Sequence, residues 1–362
     1  MNALQCQLRR EIRREGPITF ARFMELALYA PGAGYYERLR VPGRAGDFFT
    51  SVSVGPLFGQ LLAFQFAQWL ESALPEGKVQ IVEAGAHDGR LAADILDWLQ
   101  RRRPALLARL EYCLADPSPV RRGWQEKTLL PWASRLAWAP EVASLGARQI
   151  CGIIFSNEFL DALPVHRLAW DAVGRSWQEW RVDVAGEDFV WRLGALSEQA
   201  LGCLPDVPSA LAEVLPHGYV LEWAPAALAW WRRAAEALGH GKLLTLDYGP
   251  PGEGWLRPER TDGTLRAFAR HGVSAEVLAD PGGRDLTADV NFAALEEAGR
   301  AAGLRTEGLW GQAQFLARIL AQTHARPETF AEWNQKSVRQ FQTLTHPDHL
   351  GARFQVLVQT RL

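Results

Sequence analysis

The stretch VQIVEAGAHDGRL, residues 79–91, constrains the fold of this 362-residue chain more than any other. An apolar run ends in an acid, Glu83, and a loop that opens with Gly85 and closes with Gly89 leads into a helical pattern. Strand, glycine loop and helix in this order are typical of the first unit of a doubly wound α/β nucleotide-binding domain. The sequence therefore predicts such a domain, with its ligand beside the loop.

The loop also indicates which nucleotide is bound. Its pattern is G-x-x-x-G, and His87 occupies the place where a dinucleotide fingerprint has its second glycine. That glycine normally lets the backbone approach a pyrophosphate. A cofactor without phosphates, such as S-adenosylmethionine, does not need it. The loop therefore predicts S-adenosylmethionine and disfavours the alternative, an NAD-dependent dehydrogenase.

Composition and motifs exclude several other classes of protein. The chain has 39 basic and 41 acidic residues, so its overall charge gives no case for a nucleic-acid partner. Its four cysteines are widely spaced and form neither a C-x-x-C pair nor a zinc-like pattern. The H-E-x-x-H, phosphate-loop and G-x-S-x-G motifs are also absent. We therefore predict no metal, ATP or serine-hydrolase site.

Targeting features point to the cytoplasm. No apolar run reaches the length of about 18 residues that a membrane span needs. The N-terminal residues MNALQCQLRREIRRE lack the apolar core of a signal peptide. Buried free thiols, expected at Cys113 and Cys151, fit a reducing compartment. The sequence therefore predicts a cytoplasmic protein without integral membrane association.

Apolar segments that alternate with helical patterns are predicted to form one sheet. The run ICGIIFS at 150–156 is apolar throughout, as expected for a parallel sheet buried on both faces. Two segments near the end of the chain, 304–310 and 353–360, are candidates for the last two strands. The five predicted core strands are 79–83, 110–115, 136–139, 150–156 and 242–246.

The pattern divides the chain into four segments. Residues 1–75 are predicted to form a helical and loop region that closes over the cofactor site, and residues 76–164 the first part of the nucleotide-binding domain. Alternating apolar and polar residues begin near 165 and indicate antiparallel hairpins, so 165–240 is predicted to be an inserted substrate or partner subdomain. Residues 241–362 complete the nucleotide-binding domain, with a second insertion at 250–290.

Acids at the ends of the first two strands are candidate ligands for the cofactor, because ligands of open α/β sheets bind at the carboxyl ends of strands. Glu83 is placed to anchor the loop or the ammonium of a methionine-like cofactor; the alternative is a cap for the loop. Asp116, 31 residues after Gly85, is placed to accept the ribose hydroxyls. Its alternative is an ordinary Asp-Pro turn.

Polar residues also follow the fourth and fifth strands. Asn157, Glu158 and Asp161 come directly after the apolar run ICGIIFS, where an amide and two carboxylates could orient a cationic or amide nucleophile. The alternative is helix capping by Asn157 and Asp161. Asp247 follows the fifth strand and is a weaker signal, and His271 is a lone histidine, a residue that is more often structural.

These residues belong to a longer series of segments through which the chain resembles the MidA-like family of methyltransferases that depend on S-adenosylmethionine (SAM). Mitochondrial members of that family act as protein arginine methyltransferases in the assembly of respiratory complex I. The matching segments include GPITF at 16–20, ME at 24–25, GYY at 34–36, GDF at 46–48, TS at 50–51, NE at 157–158, DALP at 161–164, DYG at 247–249, GTL at 263–265, DLTADV at 285–290 and LTHP at 344–347.

The resemblance implies a class I methyltransferase fold: α/β and Rossmann-like, with a seven-stranded, mostly parallel sheet, an N-terminal helical region and an inserted antiparallel and helical subdomain. It also implies SAM as cofactor and a protein substrate, methylated on arginine, such as a respiratory-complex subunit. A homodimer is a further expectation. The residues that it assigns to the cofactor are Asp47, Thr50, Ser51, Glu83, Gly85, Gly89, Asp116, Ser118 and Asn157.

If arginine is the nucleophile, carboxylates must fix its guanidinium, which presents only hydrogen-bond donors. We expect Glu158 and Asp161 to do this, with Asp247 or His271 as helpers. The chain departs from the family in its first loop, which is usually richer in glycine than the Ala-His-Asp at 86–88, and at Asp116, where Glu is usual. The altered loop motivates an alternative function, a SAM-binding assembly factor or chaperone-like module with weak or lost catalysis.

Overall fold

The computed structural model of the chain describes most of its residues. The described residues are 2–38, 50–74, 76–202, 204–205, 207–250, 256–269, 272–274, 276–325, 327–331, 333–347 and 350–362.

Helices and strands alternate along most of the described chain. The α-helices are α1 (Ala3–Glu15), α2 (Phe20–Tyr29), α3 (Leu57–Ala73), α4 (Arg90–Arg102), α5 (Pro104–Ala108), α6 (Pro119–Thr128), α7 (Glu198–Leu201), α8 (Ser209–Ala212), α9 (Pro225–Ala237), α10 (Phe292–Ala301), α11 (Gln312–Ala325) and α12 (Gln335–Thr345). The strands are β1 (Ile18–Thr19), β2 (Val79–Ala84), β3 (Leu110–Ala115), β4 (Leu136–Ala139), β5 (Ile150–Asn157), β6 (His166–Asp171), β7 (Ser176–Ala185), β8 (Asp188–Gly194), β9 (Val220–Trp223), β10 (Leu238–Tyr248), β11 (Arg266–Ala269), β12 (Gly272–Ser274), β13 (Asp285–Thr287), β14 (Arg305–Gly311) and β15 (Phe354–Arg361).

The chain divides into two compact units. The first comprises the described residues of Met1–Phe48, Asp161–Ala229 and Glu253–Asn291, and the second those of Phe49–Leu160, Trp230–Gly252 and Phe292–Leu362. The four segments drawn from the sequence stay a prediction, since they divide the chain by pattern and not by contacts.

The second unit contains a seven-stranded sheet in the order β14-β15-β10-β5-β2-β3-β4. Neighbours from β10 to β4 are parallel, whereas β15 is antiparallel to both β10 and β14. The predicted fold class, with its mostly parallel sheet, is confirmed. All seven strands lie within one residue of the predicted bounds at each end except β10, which begins four residues earlier and ends two residues later than predicted.

This sheet has one point where the strand order reverses. From β2 the chain moves outward to β3 and β4, and it then crosses back to add β5 on the other side of β2. Helices that follow these strands therefore leave a crevice beside the carboxyl ends of β2 and β5, which is where ligands bind in sheets of this kind. Topology alone thus places a candidate site in the second unit.

The core of the second unit forms because its helices and strands carry matched apolar faces. In α3, eleven of seventeen residues are buried, and in α4 the buried positions recur at helical spacing. On β5, Phe155 is fully buried and its ring centroid lies 5.1 Å from that of Phe66 on α3. Burial of these side chains supplies most of the free energy that holds the sheet and helices together.

The first unit contains the predicted antiparallel hairpins. Strands β6, β7 and β8 are consecutive antiparallel neighbours, with β1 beside β7 and β9 beside β6. A second, three-stranded sheet has the order β12-β11-β13. The predicted N-terminal helical region is present as α1 and α2, and Asn2 and Gln5 form a capping box at the start of α1. None of the helices in the described part of the chain is long and apolar enough to span a membrane.

The contact of Phe155 with Phe66 makes a prediction about stability. Phe155→Ala leaves a cavity at the centre of the sheet, and we expect it to lower the free energy of unfolding by about 3–5 kcal/mol in urea denaturation. Val173→Ala is the control, because Val173 is 92% exposed and its truncation should change stability by less than about 0.5 kcal/mol. Equal losses for the two variants would contradict the assigned core.

Candidate functional site

The loop after β2 has the backbone geometry that its glycines predict. Gly85 has φ +71°, and Gly89, also at positive φ, precedes the first residue of α4. A Cβ added at Gly85 would lie 2.6 Å from Cδ2 of Phe159, which is closer than real carbon atoms approach. Both the left-handed backbone and the neighbouring ring therefore require glycine at this position.

Residues 87 and 88, where the chain departs from its apparent relatives, are tied to neighbouring groups. His87 has φ +47°, and its carbonyl accepts a hydrogen bond of 3.1 Å from Nε2 of Gln125. The Asp88 carboxylate accepts from the backbone and side chain of Arg90. Burial by itself would raise the pKa of Asp88. The hydrogen bond and charge of His87, together with the charge of Arg90, outweigh this effect, so the pKa of Asp88 lies below its usual range. Asp88 thus carries a negative charge into the first turn of α4.

Glu83 lies one residue before the end of β2 and is 2% exposed. The Tyr112 hydroxyl donates a hydrogen bond of 2.5 Å to its Oε2. Burial raises the pKa of Glu83 from 4.5 to about 7, with the Asp88 charge adding to the increase and the Tyr112 bond opposing it. Glu83 is therefore close to the balance between its neutral and charged forms at neutral pH. A cation near it would favour the charged form.

Asp116 follows β3, and the groups around it already occupy its carboxylate. Nε of Arg121 lies 3.0 and 2.8 Å from the two oxygens, and the Ser118 amide donates to Oδ1 at 2.9 Å. Ser118 in turn caps α6 by accepting from the Arg121 amide. This geometry matches the turn that was the alternative for Asp116. Its role toward a ribose, and that of Ser118 toward the cofactor, stay predictions.

The end of β5 brings together three predicted site residues. Oε1 of Glu158 accepts hydrogen bonds from the Ser51 amide at 3.0 Å and from Nδ2 of Asn157 at 3.2 Å. Glu158 has φ +51°, an unfavourable backbone conformation for a residue with a side chain. Such strain persists only where surrounding contacts impose it, and it is common at functional sites. We call Ser51, Asn157 and Glu158 the β5-end cluster.

Ser51 itself is held firmly. It is fully buried, and its hydroxyl donates to Oε1 of Gln312 at 3.3 Å. Thr50 and Ser53 exchange hydrogen bonds between backbone and side chain in the adjoining turn. Of the predicted residues in the N-terminal region, Ser51 thus belongs to the β5-end cluster, and Thr50 lies in the adjoining turn. Two other predicted site residues, Asp47 in the same region and His271 in a later part of the chain, lie outside the described residues.

Asp247 fixes the backbone next to this cluster. It is fully buried, and its Oδ2 accepts from the amides of Phe159 and Leu160 at 3.1 and 2.7 Å. Its Oδ1 accepts from the Tyr248 amide at 2.9 Å. These bonds stabilise the turn that carries Glu158, so the geometry supports a positioning role, while the catalytic role expected from the sequence stays a prediction.

Asp161 belongs to the first unit, because the boundary between units falls between Leu160 and Asp161. It is 5% exposed, and its backbone carbonyl accepts from the Ala288 amide at 2.9 Å. The Tyr29 hydroxyl donates to the next carbonyl, that of Ala162, at 3.0 Å. Within the first unit, therefore, hydrogen bonds from the Ala288 amide and the Tyr29 hydroxyl hold the segment that carries Asp161.

Three residues contribute to the site although no role was predicted for them from the sequence: Tyr112, Arg121 and Gln312. A signal existed for Tyr112, because in the parallel register it lies opposite Ile81, two residues before Glu83, and on the same face. Arg121 is five residues after Asp116, in the first turn of α6, where its side chain can reach back to the Asp116 carboxylate at the end of β3. Gln312 has no local signal, since it meets Ser51 from a distant part of the sequence.

The groups around the crevice suit a cationic cofactor better than a pyrophosphate. Glu83, Asp88 and Asp116 are carboxylates close to the loop, and they would repel phosphate oxygens. Oδ1 of Asn157 is buried without a hydrogen-bond partner among the described residues. A buried oxygen in this state is costly, and a donor on a ligand would satisfy it. SAM offers an ammonium, an amino group and two hydroxyls as donors, so the residues present fit it.

Comparisons with known proteins agree with this chemistry. Residues 61–310 match the family model described as "Putative S-adenosyl-L-methionine-dependent methyltransferase". The chain is 31% identical to the mitochondrial protein arginine methyltransferase NDUFAF7 homolog of Drosophila melanogaster, over 98% of this chain and 84% of that protein.

Solved structures are similar over nearly the whole chain. A protein from Burkholderia thailandensis bound to S-adenosyl-homocysteine has a TM-score of 0.83 at 34% identity, covering 99% of this chain and 92% of the other. A native crystal structure of a protein from the same organism has a TM-score of 0.79 at 32% identity, with coverages of 99% and 91%.

The state of Glu83 makes a prediction about pH. Because its pKa is raised on folding, the native state keeps a proton that the unfolded chain releases, and stability falls as pH rises from 4.5 to about 7. Glu83→Gln removes this loss. Urea denaturation should show the variant gaining about 2–3 kcal/mol relative to the parent across this range. The control is Glu111→Gln, at an exposed carboxylate on β3, which should leave the pH dependence unchanged; equal behaviour of both variants would contradict the assignment.

Proposed function

Because the chain belongs to the family of SAM-dependent methyltransferases, as its match over residues 61–310 shows, we propose that it methylates an arginine side chain of a partner protein. The Drosophila melanogaster relative, which is named as a protein arginine methyltransferase, supports this choice of substrate. The observation that carries it is the β5-end cluster, in which a buried serine and an asparagine orient the Glu158 carboxylate beside the reversal of the sheet.

The cofactor site that we propose uses the residues around the first loop. Glu83 would meet the ammonium of the methionine part, and the unpaired Oδ1 of Asn157 would accept a hydrogen bond from the ligand. When bound, SAM supplies a methyl group on a sulfonium, which is already activated for transfer. The protein therefore needs to position the acceptor and exclude water, and orientation alone can contribute about 7–11 kcal/mol.

Glu158 is placed to orient a guanidinium. An arginine side chain stays protonated in proteins and offers only N–H donors, so carboxylates that accept from it in a fixed plane determine which nitrogen faces the methyl donor. The Ser51 amide and Asn157 fix Oε1 of Glu158, and Asp247 holds the turn after it through the Phe159 and Leu160 amides. In the transfer, the bond from nitrogen to the methyl carbon would form as the bond from sulfur to that carbon breaks, and S-adenosyl-homocysteine would leave. The attacking nitrogen must also lose a proton, and a preorganised carboxylate of this kind is placed to stabilise the positive charge and to accept that proton.

One observation favours the second candidate, a SAM-binding assembly factor with weak or lost catalysis. The Asp116 carboxylate, which is expected to hold the ribose, is instead paired with Arg121. A site that must displace this pair before the cofactor binds would favour a slow enzyme or a binding module. Isothermal titration with SAM, followed by methyl transfer from radiolabelled SAM in cell lysate, separates the two, since binding without transfer supports the module.

The methyltransferase proposal predicts a loss of transfer without a loss of binding. Glu158→Gln keeps the shape of the side chain but removes its charge, and we expect at least a tenfold lower transfer rate, equivalent to ~1.4 kcal/mol. The affinity for SAM should change much less. Transfer to lysate protein is measured with radiolabelled SAM and affinity by titration.

Asp161→Asn tests the second predicted carboxylate in the same assay. The matched control is Glu187→Gln, because Glu187 is an exposed residue in the turn between β7 and β8. Full transfer by both Glu158→Gln and Asp161→Asn would overturn the assignment of these carboxylates to arginine.

We also propose that this protein is cytoplasmic, without integral membrane association, and that a respiratory-complex subunit is the first candidate for its substrate. The homodimer is proposed on the resemblance alone, and sedimentation equilibrium tests it directly. Identification of the methylated residue by mass spectrometry of the radiolabelled protein would test both the partner and the arginine.

A further inference from the structure

A cavity of about 300 Å³ lies in the second unit at the end of α4 remote from the glycine loop. Its wall includes the last turn of α4 and the first turns of α3 and α12. Nothing in the proposed methyl transfer uses it. The helix that separates it from the loop has thirteen residues, which corresponds to a length of about 20 Å.

The charged residues in the lining of this cavity are cations that are exposed to solvent. Arg101, Arg102 and Lys336 line it, and the lining residues that the structure describes include no acid. Among the described residues, neither Arg102 nor Lys336 has an ion-pair partner. Three like charges around one concave surface repel each other, and a bound anion would relieve that repulsion.

The position of Lys336 strengthens this argument. Cations at the end of a helix, such as Arg101 and Arg102 on α4, interact favourably with the helix dipole and need no ligand to explain them. Lys336 is instead the second residue of α12, where the dipole disfavours a cation. The helix dipole therefore does not favour a cation at this position, whereas an anion in the cavity would.

The first turns of α3 and α12 also form part of the wall of the cavity. Asn334 caps α12 by accepting from the Ser337 amide, and Gln340 on the same helix accepts from the Leu57 amide at the start of α3. The first turns of both helices are thereby held beside the cavity, where their positive ends add to the charge of the side chains.

The volume of the cavity and its apolar lining residues indicate what the ligand carries besides its anionic group. Trp98 and Phe330 are each 2% exposed and form an apolar floor. A volume of about 300 Å³ is at the lower end of small-molecule sites and exceeds what a phosphate ion fills. We propose that this cavity binds a small phosphate monoester, with its phosphate at Arg101, Arg102 and Lys336 and its compact organic part over the apolar floor.

Isothermal titration of the full chain, saturated with S-adenosyl-homocysteine so that the cofactor site is filled, tests the proposal. The probes are glucose 6-phosphate, AMP, glucose, adenosine and inorganic phosphate. We expect both monoesters to bind, their unphosphorylated counterparts not to bind, and inorganic phosphate to bind at least tenfold more weakly than the better monoester. Affinity should fall as salt rises, because the contacts are ionic.

Substitutions of residues that line the cavity test whether the monoester binds there. Arg102→Ala and Lys336→Ala should each weaken monoester binding at least tenfold. Arg339→Ala removes the same charge from an exposed position of α12 that does not line the cavity, and it should have no effect. Unchanged melting temperatures would show that the variants fold.

Three results would overturn the proposal: no heat from either monoester, equal affinity for inorganic phosphate and the monoesters, or equal loss in Arg339→Ala. Binding of a poly-glutamate peptide that glucose 6-phosphate does not displace, and that Lys336→Ala abolishes, would assign the cavity to an acidic protein segment instead. None of these measurements depends on methyl transfer, so they stand apart from the test of the proposed function.

Discussion

The candidate site depends on the parallel pairing of β2 with β5. This contact joins residues that are about 70 positions apart in the chain, and it places the ends of the two strands side by side, with Ala84 opposite Ser156. The backbones approach so closely that a Cβ at Gly152 would lie 1.9 Å from the Gln80 carbonyl oxygen. A side chain at that position would push the strands apart and separate the glycine loop from the β5-end cluster.

The pairing also explains why strain collects at Glu158. The strand must end where the crevice begins, and the chain leaves it through a residue in the left-handed region. Asp247 accepts from the two amides that follow, and the Ser51 amide donates to the Glu158 side chain. These bonds come from two other parts of the second unit. The unfavourable backbone is thus stabilised by contacts that at the same time orient the carboxylate.

Much of the fold was predictable because local patterns determine it. The apolar run at 150–156 predicts a strand, and the glycine loop at 85–89 predicts a turn, each from local sequence alone. The candidate site was predictable only in part. Glu83 and Asn157 lie at the ends of strands whose order the fold class fixes, and Glu158 follows directly after Asn157. Gln312, however, reaches Ser51 through tertiary packing that no short pattern encodes. The pairing of Asp116 with Arg121 was also missed, because a carboxylate at a strand end has the same sequence signal whether it serves a ligand or a turn.

The antiparallel strand β15 has a consequence for how the protein is made. It is the last strand along the chain, yet it lies between β10 and β14, and all eight of its residues are buried. Until residues beyond 353 have left the ribosome, β10 presents an unpaired edge and β14 lacks the strand that joins it to the sheet, and unpaired edges promote aggregation. The parallel half of the sheet can form early, but closure of the sheet must wait for the final segment. A chain that is truncated before this point would have a nearly complete crevice but an unpaired strand edge, which can pair with other chains.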